Sequence, residues 1–192
     1  RDWVNMKVSI NDQIINKNKD RANQSKGFKS VDQSPQELAD CISQGYAFSY
    51  QFENSHRKAD NFICSDIIAA DFDAGMTLDE ALTNDFFINN ASILYTTASH
   101  TPEKHKFRVI FELPRTITDK EEIRAAQQGL TRKFPADRAA VDPARQFYGS
   151  RGCKAHLFGK VWSEDALQEL IGLGREPWGQ SDIEGKVRLA GT

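Results

Sequence analysis

The stretch Ile67-Ile68-Ala69-Ala70-Asp71-Phe72-Asp73 runs from small and apolar residues into two carboxylates one residue apart. A short, continuously apolar run reads as a buried, central strand. In an extended chain successive side chains alternate faces, so Asp71 and Asp73 share one face and Phe72 points to the other, toward a core. Two anions held side by side repel unless something neutralises them, and a hard divalent cation or a basic partner is the natural complement. The bland alternative is an Asp-rich strand end, since Asp is common in turns.

Working outward, Tyr46, Phe48, Tyr50 and Phe52 alternate with Ala47, Ser49 and Gln51, the period of a half-buried strand. Residues 62–73 form the next strand and 92–97 a third. In the fourth, Phe107, Val109, Phe111 and Leu113 alternate with Arg108, Ile110 and Glu112. The interval 99–106 is then a hairpin-like connection between antiparallel neighbours. Ser34-Pro35-Gln36-Glu37 and Thr77-Leu78-Asp79-Glu80 are capping boxes, predicting helices that end at Gly45 and near Asn89. Residues 118–121 cap a further helix to about Phe134, and Ser163 starts a last one ending near Gly174. Residues 1–33 are polar, with a strand or short helix near 8–15, and 147–158 hold a pair of short strands. Strands and helices mixed without strict alternation predict an α+β domain over 1–174 with a largely antiparallel sheet. Residues 175–192 lose periodicity and read as a tail or linker.

Length and composition are those of a globular protein with one sizeable core: 192 residues, 39% hydrophobic and 27% charged. The formal net charge of −2 removes any bulk-charge argument for nucleic acid, so a polyanion would have to meet a local patch. Cys41, Cys64 and Cys153 lie far apart, which argues against a disulfide framework and against a structural zinc site. No stretch approaches the roughly 20 apolar residues of a membrane span, and the N-terminus lacks a signal-peptide core. A cytoplasmic chain is expected, cut from a longer polypeptide because it begins with Arg1.

Three further groups surround the acidic pair. Thr97-Ala98-Ser99-His100 stands where a strand leaves the sheet, a place from which an imidazole can donate to a phosphate oxygen. In Lys104-His105-Lys106-Phe107-Arg108, Lys106 and Arg108 share a face suited to a triphosphate or a nucleic-acid backbone, and Phe107 anchors the other. The stretch Asp142-Pro143-Ala144-Arg145-Gln146-Phe147-Tyr148-Gly149 adds a third acid and another arginine. The first two groups have a plainer reading as a solvated surface; in the third, Arg145 could equally pair with Asp142 as a structural bridge and Tyr148 could be simple core.

Taken in order, an apolar strand ending in Asp-x-Asp, a small-x-His element, a basic strand and a later Asp resemble the catalytic signature of the archaeo-eukaryotic primase superfamily. The nearest flavour is the primase-polymerase domain of phage and plasmid replication proteins, and the resemblance spans residues 45–160. It implies an RRM-like antiparallel sheet with flanking helices and an N-terminal α/β unit. It also implies a nucleotidyltransferase, a DNA primase or polymerase fed by (d)NTPs on a single-stranded DNA template and primer. Asp71, Asp73 and Asp142 would hold two Mg²⁺ or Mn²⁺ ions roughly 4 Å apart. Ser99, His100, Lys106 and Arg108 would clamp the triphosphate, with Lys104 at its edge and Arg145 and Tyr148 in support. His56, Arg57 and Lys58 would touch the template backbone. A helicase module would follow in the parent chain.

The chain departs from the family at Ala98, where a small hydroxyl residue is usual, in lacking cysteines for a zinc module, and in offering His105 as a rival to His100. Other readings of Asp-x-Asp remain: a haloacid-dehalogenase-like hydrolase, against which Gly75 argues, a glycosyltransferase, and a non-catalytic replication initiator or template-binding domain. Asp71→Ala is expected to abolish synthesis with the fold intact.

Overall fold

The computed structural model describes residues 5–15, 24–137 and 141–177. Strand β1 (Met6–Ile15) pairs with β2 (Lys29–Gln33) on one side and, across helix α1 (Pro35–Ser43), with β3 (Tyr46–Ser49) on the other. This antiparallel sheet has the order β2-β1-β3. The chain then crosses to a second sheet through β4 (Gln51–Phe52) and the long central β5 (Phe62–Phe72). Two short helices, α2 (Leu78–Leu82) and α3 (Asp85–Asn90), lead to β6 (Ile93–Thr96), and a hairpin leads to β7 (Phe107–Ile117). Helix α4 (Lys120–Lys133), strand β8 (Ala155–Leu157) and helix α5 (Glu164–Arg175) complete the fold. The second sheet has the order β4-β5-β7-β6-β8, antiparallel throughout. The architecture is α+β with antiparallel sheets and flanking helices, as the sequence predicts.

Buried strands explain this arrangement. From Cys64 to Phe72 every residue of β5 is buried, and β7 is buried from Phe107 to Leu113. Helix α4 lays Ile123, Ala126 and Leu130 against the sheet, and α5 adds Leu167, Leu170 and Ile171. Gln127 of α4 reaches the backbone of Ala69, accepting its N–H at 3.3 Å and donating to its carbonyl, and also accepts from the Tyr50 hydroxyl at 3.3 Å. It thereby satisfies strand polar groups that would otherwise be buried without partners.

Both capping boxes form, on Ser34 with Glu37 and on Thr77 with Glu80. Five details depart from the sequence reading, the first being that of the two short strands expected over 147–158 only β8 forms, Phe147 making an isolated bridge to Phe48. The helix expected from Thr77 to Asn89 is two helices, because Asn84 caps afresh and accepts from the Phe87 N–H at 3.1 Å. Asp119, not Thr118, caps α4. Residues 46–52 are not one half-buried strand: they divide between the sheets and are buried on both faces past Tyr46. The buried polar members are satisfied, Ser49 donating to the Arg145 carbonyl at 2.5 Å and Gln51 to those of Val8 and Val31 at 3.1 Å. Finally, the polar Lys29-Ser30-Val31-Asp32-Gln33 is an edge strand, formed because β1 offers it a free ladder. Of the expected tail, residues 178–192 lie outside the described residues. Among the described residues no helix is long and apolar enough to cross a membrane.

Candidate active site

Asp71 and Arg108 are direct cross-strand partners in the β5–β7 ladder. Residues placed opposite each other on adjacent strands share a face, so their side chains meet. The guanidinium grips the carboxylate through both oxygens, Nε donating to Oδ1 and Nη2 to Oδ2, the latter at 3.0 Å. Nη1 donates to the Tyr95 hydroxyl and, at 2.9 Å, to the Tyr148 carbonyl. The guanidinium lies over the rings of Tyr95 and Phe147, at 5.6 and 5.1 Å. The pair is deeply enclosed, Asp71 being 7% exposed and Arg108 5%. Burial pushes the Asp71 carboxyl upward, but the charge and hydrogen bonds of Arg108, helped by Arg145, outweigh it and hold the group below its ordinary range. For Arg108 burial acts downward, and Asp71 and Tyr95 overturn it, raising the guanidinium above its usual value. The Tyr95 hydroxyl is pushed up by burial.

A third charge joins from the loop after α4. Arg145 donates from Nη2 to Asp71 Oδ2 at 3.1 Å and lies 3.8 Å from Asp137. Asp71 thus accepts three hydrogen bonds. An ionised carboxylate offers about four acceptor sites, leaving room for one more partner. Asp73 sits one residue beyond the end of β5, exposed. Asp142, also exposed, heads a turn in which its Oδ1 accepts from the Ala144 N–H and its carbonyl from the Arg145 N–H, both at 2.8 Å.

All three acids line one open cleft of about 490 Å³. Its walls also carry Thr97, Ser99, Lys106, Arg108, Arg145 and Tyr148, together with Gln24, Arg57, Asp137 and Gln146. Carboxylates and cations are matched in number there, so the cleft is a polar, charge-compensated site and not an apolar pocket. The donor set is all carboxylate oxygen, the kind that Mg²⁺ and Mn²⁺ take. Among the described residues no three metal-ligating side chains come close enough to enclose an ion by themselves. An ion bound there would have to take its remaining ligands from elsewhere, such as phosphate oxygens and water.

The other expected residues divide. In the hairpin, His100 Nδ1 accepts from the Lys106 N–H at 3.0 Å, which leaves the proton of a neutral ring on Nε2. His100 is half-buried and, unlike Ser99 and Lys106, is not among the residues that line the cleft. The rival His105 is committed: Nδ1 accepts from the Leu78 N–H at 2.8 Å and Nε2 faces the Pro102 carbonyl at 3.1 Å. Lys104 is exposed at the hairpin tip, outside the cleft lining. Lys106 and Arg108 do line the same cleft, but Arg108 is no solvated cation. Tyr148 faces the cleft with its hydroxyl on Gln24 Oε1 at 3.0 Å. His56 bridges to Lys26, and Lys58 is exposed; neither lines the cleft. Arg57 turns inward, its guanidinium on the carbonyls of Ala144 and Gln24 at 2.5 and 3.2 Å and 5.5 Å from the Phe28 ring. Burial pulls it below its ordinary value, with Asp142 pushing back.

Sequence reasoning missed Gln24, Tyr95, Asp137 and Gln146. Tyr95 hides inside an ordinary strand pattern, and the others are isolated polar residues whose role depends on distant neighbours.

The sequence profile of the VapE N-terminal domain family matches residues 1–168. No curated protein matches the chain. Among solved structures, the AEP domain of the primase-polymerase from cyanophage S-2L matches with a TM-score of 0.51 at 11% identity, over 89% of this chain and 91% of that one. At that identity the likeness speaks for the fold, an archaeo-eukaryotic primase-like fold.

Proposed function

Since the chain belongs to the VapE N-terminal domain family and shares the fold of a primase-polymerase domain, we propose that it is a catalytic domain for template-directed nucleotidyl transfer. It would act in replication of a plasmid, phage or other mobile element, taking (d)NTPs and a single-stranded DNA template with primer, in the cytoplasm and joined to a helicase module. One observation carries this reading: the Asp71 and Asp73 pair and Asp142, distant from it in sequence, line the same cleft as Lys106, Arg108 and Arg145. Phosphoryl transfer asks little covalent chemistry of a protein and much alignment and neutralisation, which such a cleft supplies.

Asp73 and Asp142, with the remaining acceptor site of Asp71, would hold Mg²⁺ or Mn²⁺ as a two-metal centre. When bound, such ions make a 3′-hydroxyl more acidic and neutralise the departing pyrophosphate. Lys106 and Arg145 orient the triphosphate as a point charge and a fork respectively. Ser99 lines the same cleft as Lys106, and His100, outside that lining, holds the Lys106 backbone through Nδ1 and so steadies the strand that carries Lys106. Arg108 acts indirectly, fixing the Asp71 carboxylate so that it meets its ligand without reorganising.

Incubating the protein with single-stranded DNA, labelled nucleotides and Mn²⁺ is expected to give products that lengthen with time. Absence of both priming and extension with either ion, or phosphate release alone, would overturn the assignment. A second reading, a template-binding initiator without turnover, is favoured by the extent to which Arg108 and Arg145 already engage Asp71. Single-stranded DNA binding without synthesis would select it.

A further inference from the structure

Arg57 belongs by sequence to a polar loop, His56-Arg57-Lys58, and by geometry to the cleft. The backbone that delivers it is unusual: Asn54 and Ser55, neither of them glycine, adopt φ of 56° and 52° in succession. Such consecutive left-handed residues are strained and persist only where surrounding contacts hold them. Here the holding contacts are the Phe28 N–H on the Ser55 carbonyl at 3.0 Å and the Arg57 N–H on the Ser25 carbonyl at 2.6 Å. The turn thereby lays residues 55–57 beside 25–28 and sends the Arg57 side chain inward over Phe28.

What the guanidinium meets there is the turn that presents Asp142. Nη1 donates to the Ala144 carbonyl, while the N–H of the same residue donates to Asp142 Oδ1. Ala144 is therefore gripped at both ends, by Arg57 at its carbonyl and by the Asp142 carboxylate at its amide. The next amide, Arg145 N–H, closes on the Asp142 carbonyl, and the Arg145 side chain reaches Asp71. Nη2 of Arg57 donates to the Gln24 carbonyl at 3.2 Å and so ties this turn to the N-terminal segment.

We propose that Arg57 is a positioning residue, which sets the Asp142 carboxylate and the Arg145 fork at the cleft by anchoring the Ala144 carbonyl, instead of gripping template phosphates from the surface. The assignment rests on the reading of the cleft as a nucleotidyl-transfer site, but its structural content can be tested apart from it. In the 192-residue chain, Arg57→Ala is expected to accelerate amide hydrogen exchange at Ala144 and Arg145 about tenfold or more while the β5 and β7 amides stay unchanged. Mn²⁺ affinity, read by electron paramagnetic resonance, is expected to weaken by roughly 10- to 100-fold, the range for loss of an outer-shell partner. Added guanidinium ion restores both quantities, whereas Arg57→Lys, lacking the fork, restores little.

Unchanged exchange at Ala144 and Arg145, with single-stranded DNA binding weakened instead, would overturn the proposal in favour of a template contact. Uniform acceleration across β5 and β7 would overturn it too, since Arg57 would then stabilise the fold generally. A wild-type chain that takes up no Mn²⁺ would remove the catalytic reading, and the exchange comparison would still decide the role of Arg57.

Discussion

Asp71 shows how burial changes what a carboxylate does. An exposed acid can be deleted at little cost, but this one neutralises a guanidinium that is almost wholly enclosed. The expectation that Asp71→Ala leaves the fold intact is therefore corrected. Removing one partner strands Arg108 as a buried, unpaired charge, so Asp71→Asn is predicted to lower stability by about 3–5 kcal/mol in urea unfolding. The sign of the pH dependence follows from the depressed folded value. The native state holds its charge to lower pH than the unfolded chain, whose Asp titrates at about 3.9. The stabilisation is complete above that pH and is lost as pH falls through the folded value. Urea titrations stepped downward from about pH 5 should show a stability loss that flattens in Asp71→Asn. Asp73, exposed beyond the strand end, offers the contrast. Asp73→Asn should change stability by less than about 0.5 kcal/mol and reduce primer extension by at least the roughly 10- to 100-fold that loss of an outer-shell partner costs, a separation read by running both assays on the same preparation. The sequence offers Asp71 and Asp73 as an acidic pair at a strand end, and both do line one cleft; that Asp71 is locked to Arg108 depends on strand register, which the sequence does not show.

Among the elements, the helices that cover the sheet meet through glycines. A Cβ on Gly129 would stand 2.0 Å from the Leu170 carbonyl oxygen, and one on Gly174 would stand 1.8 Å from that of Ala125. Both obstacles are backbone and cannot swing aside. Gly129→Ala is therefore predicted to force α4 and α5 apart and cost about 1–3 kcal/mol despite its better helix propensity, visible as a lowered Tm. Gln127→Leu, of similar size, strips the Ala69 peptide and the Tyr50 hydroxyl of their partner and should cost about 1–3 kcal/mol for each group left unsatisfied. Helix starts were readable because a capping box is a local device, complete within four residues. The break at Asn84 and the switch of residues 46–52 between sheets were not, since each turns on which neighbour takes the next hydrogen bond.

At the scale of the whole molecule the cleft is assembled from the N-terminal segment at Gln24, the Arg57 turn, the end of β5, the 97–106 hairpin and the loop after α4. Its polar lining stands apart from the apolar core, which includes Phe72, Phe87, Phe107 and Phe111. Chelation with EDTA is accordingly expected to stop synthesis while leaving the far-ultraviolet circular dichroism unchanged. Mn²⁺ with a nucleoside triphosphate at about 100 times Kd should stabilise the chain by about 2.7 kcal/mol in thermal unfolding, and no shift would mean that the cleft takes no nucleotide. By itself the sequence determined the α+β class, the burial of β5, the main helix starts and the candidate acids, because periodicity and capping are written in neighbouring residues. Only the tertiary structure decided that Arg108 clamps Asp71, that His105 is spent on Leu78 and that Arg57 turns inward, because those contacts join residues whose separation in the chain says nothing about their separation in space.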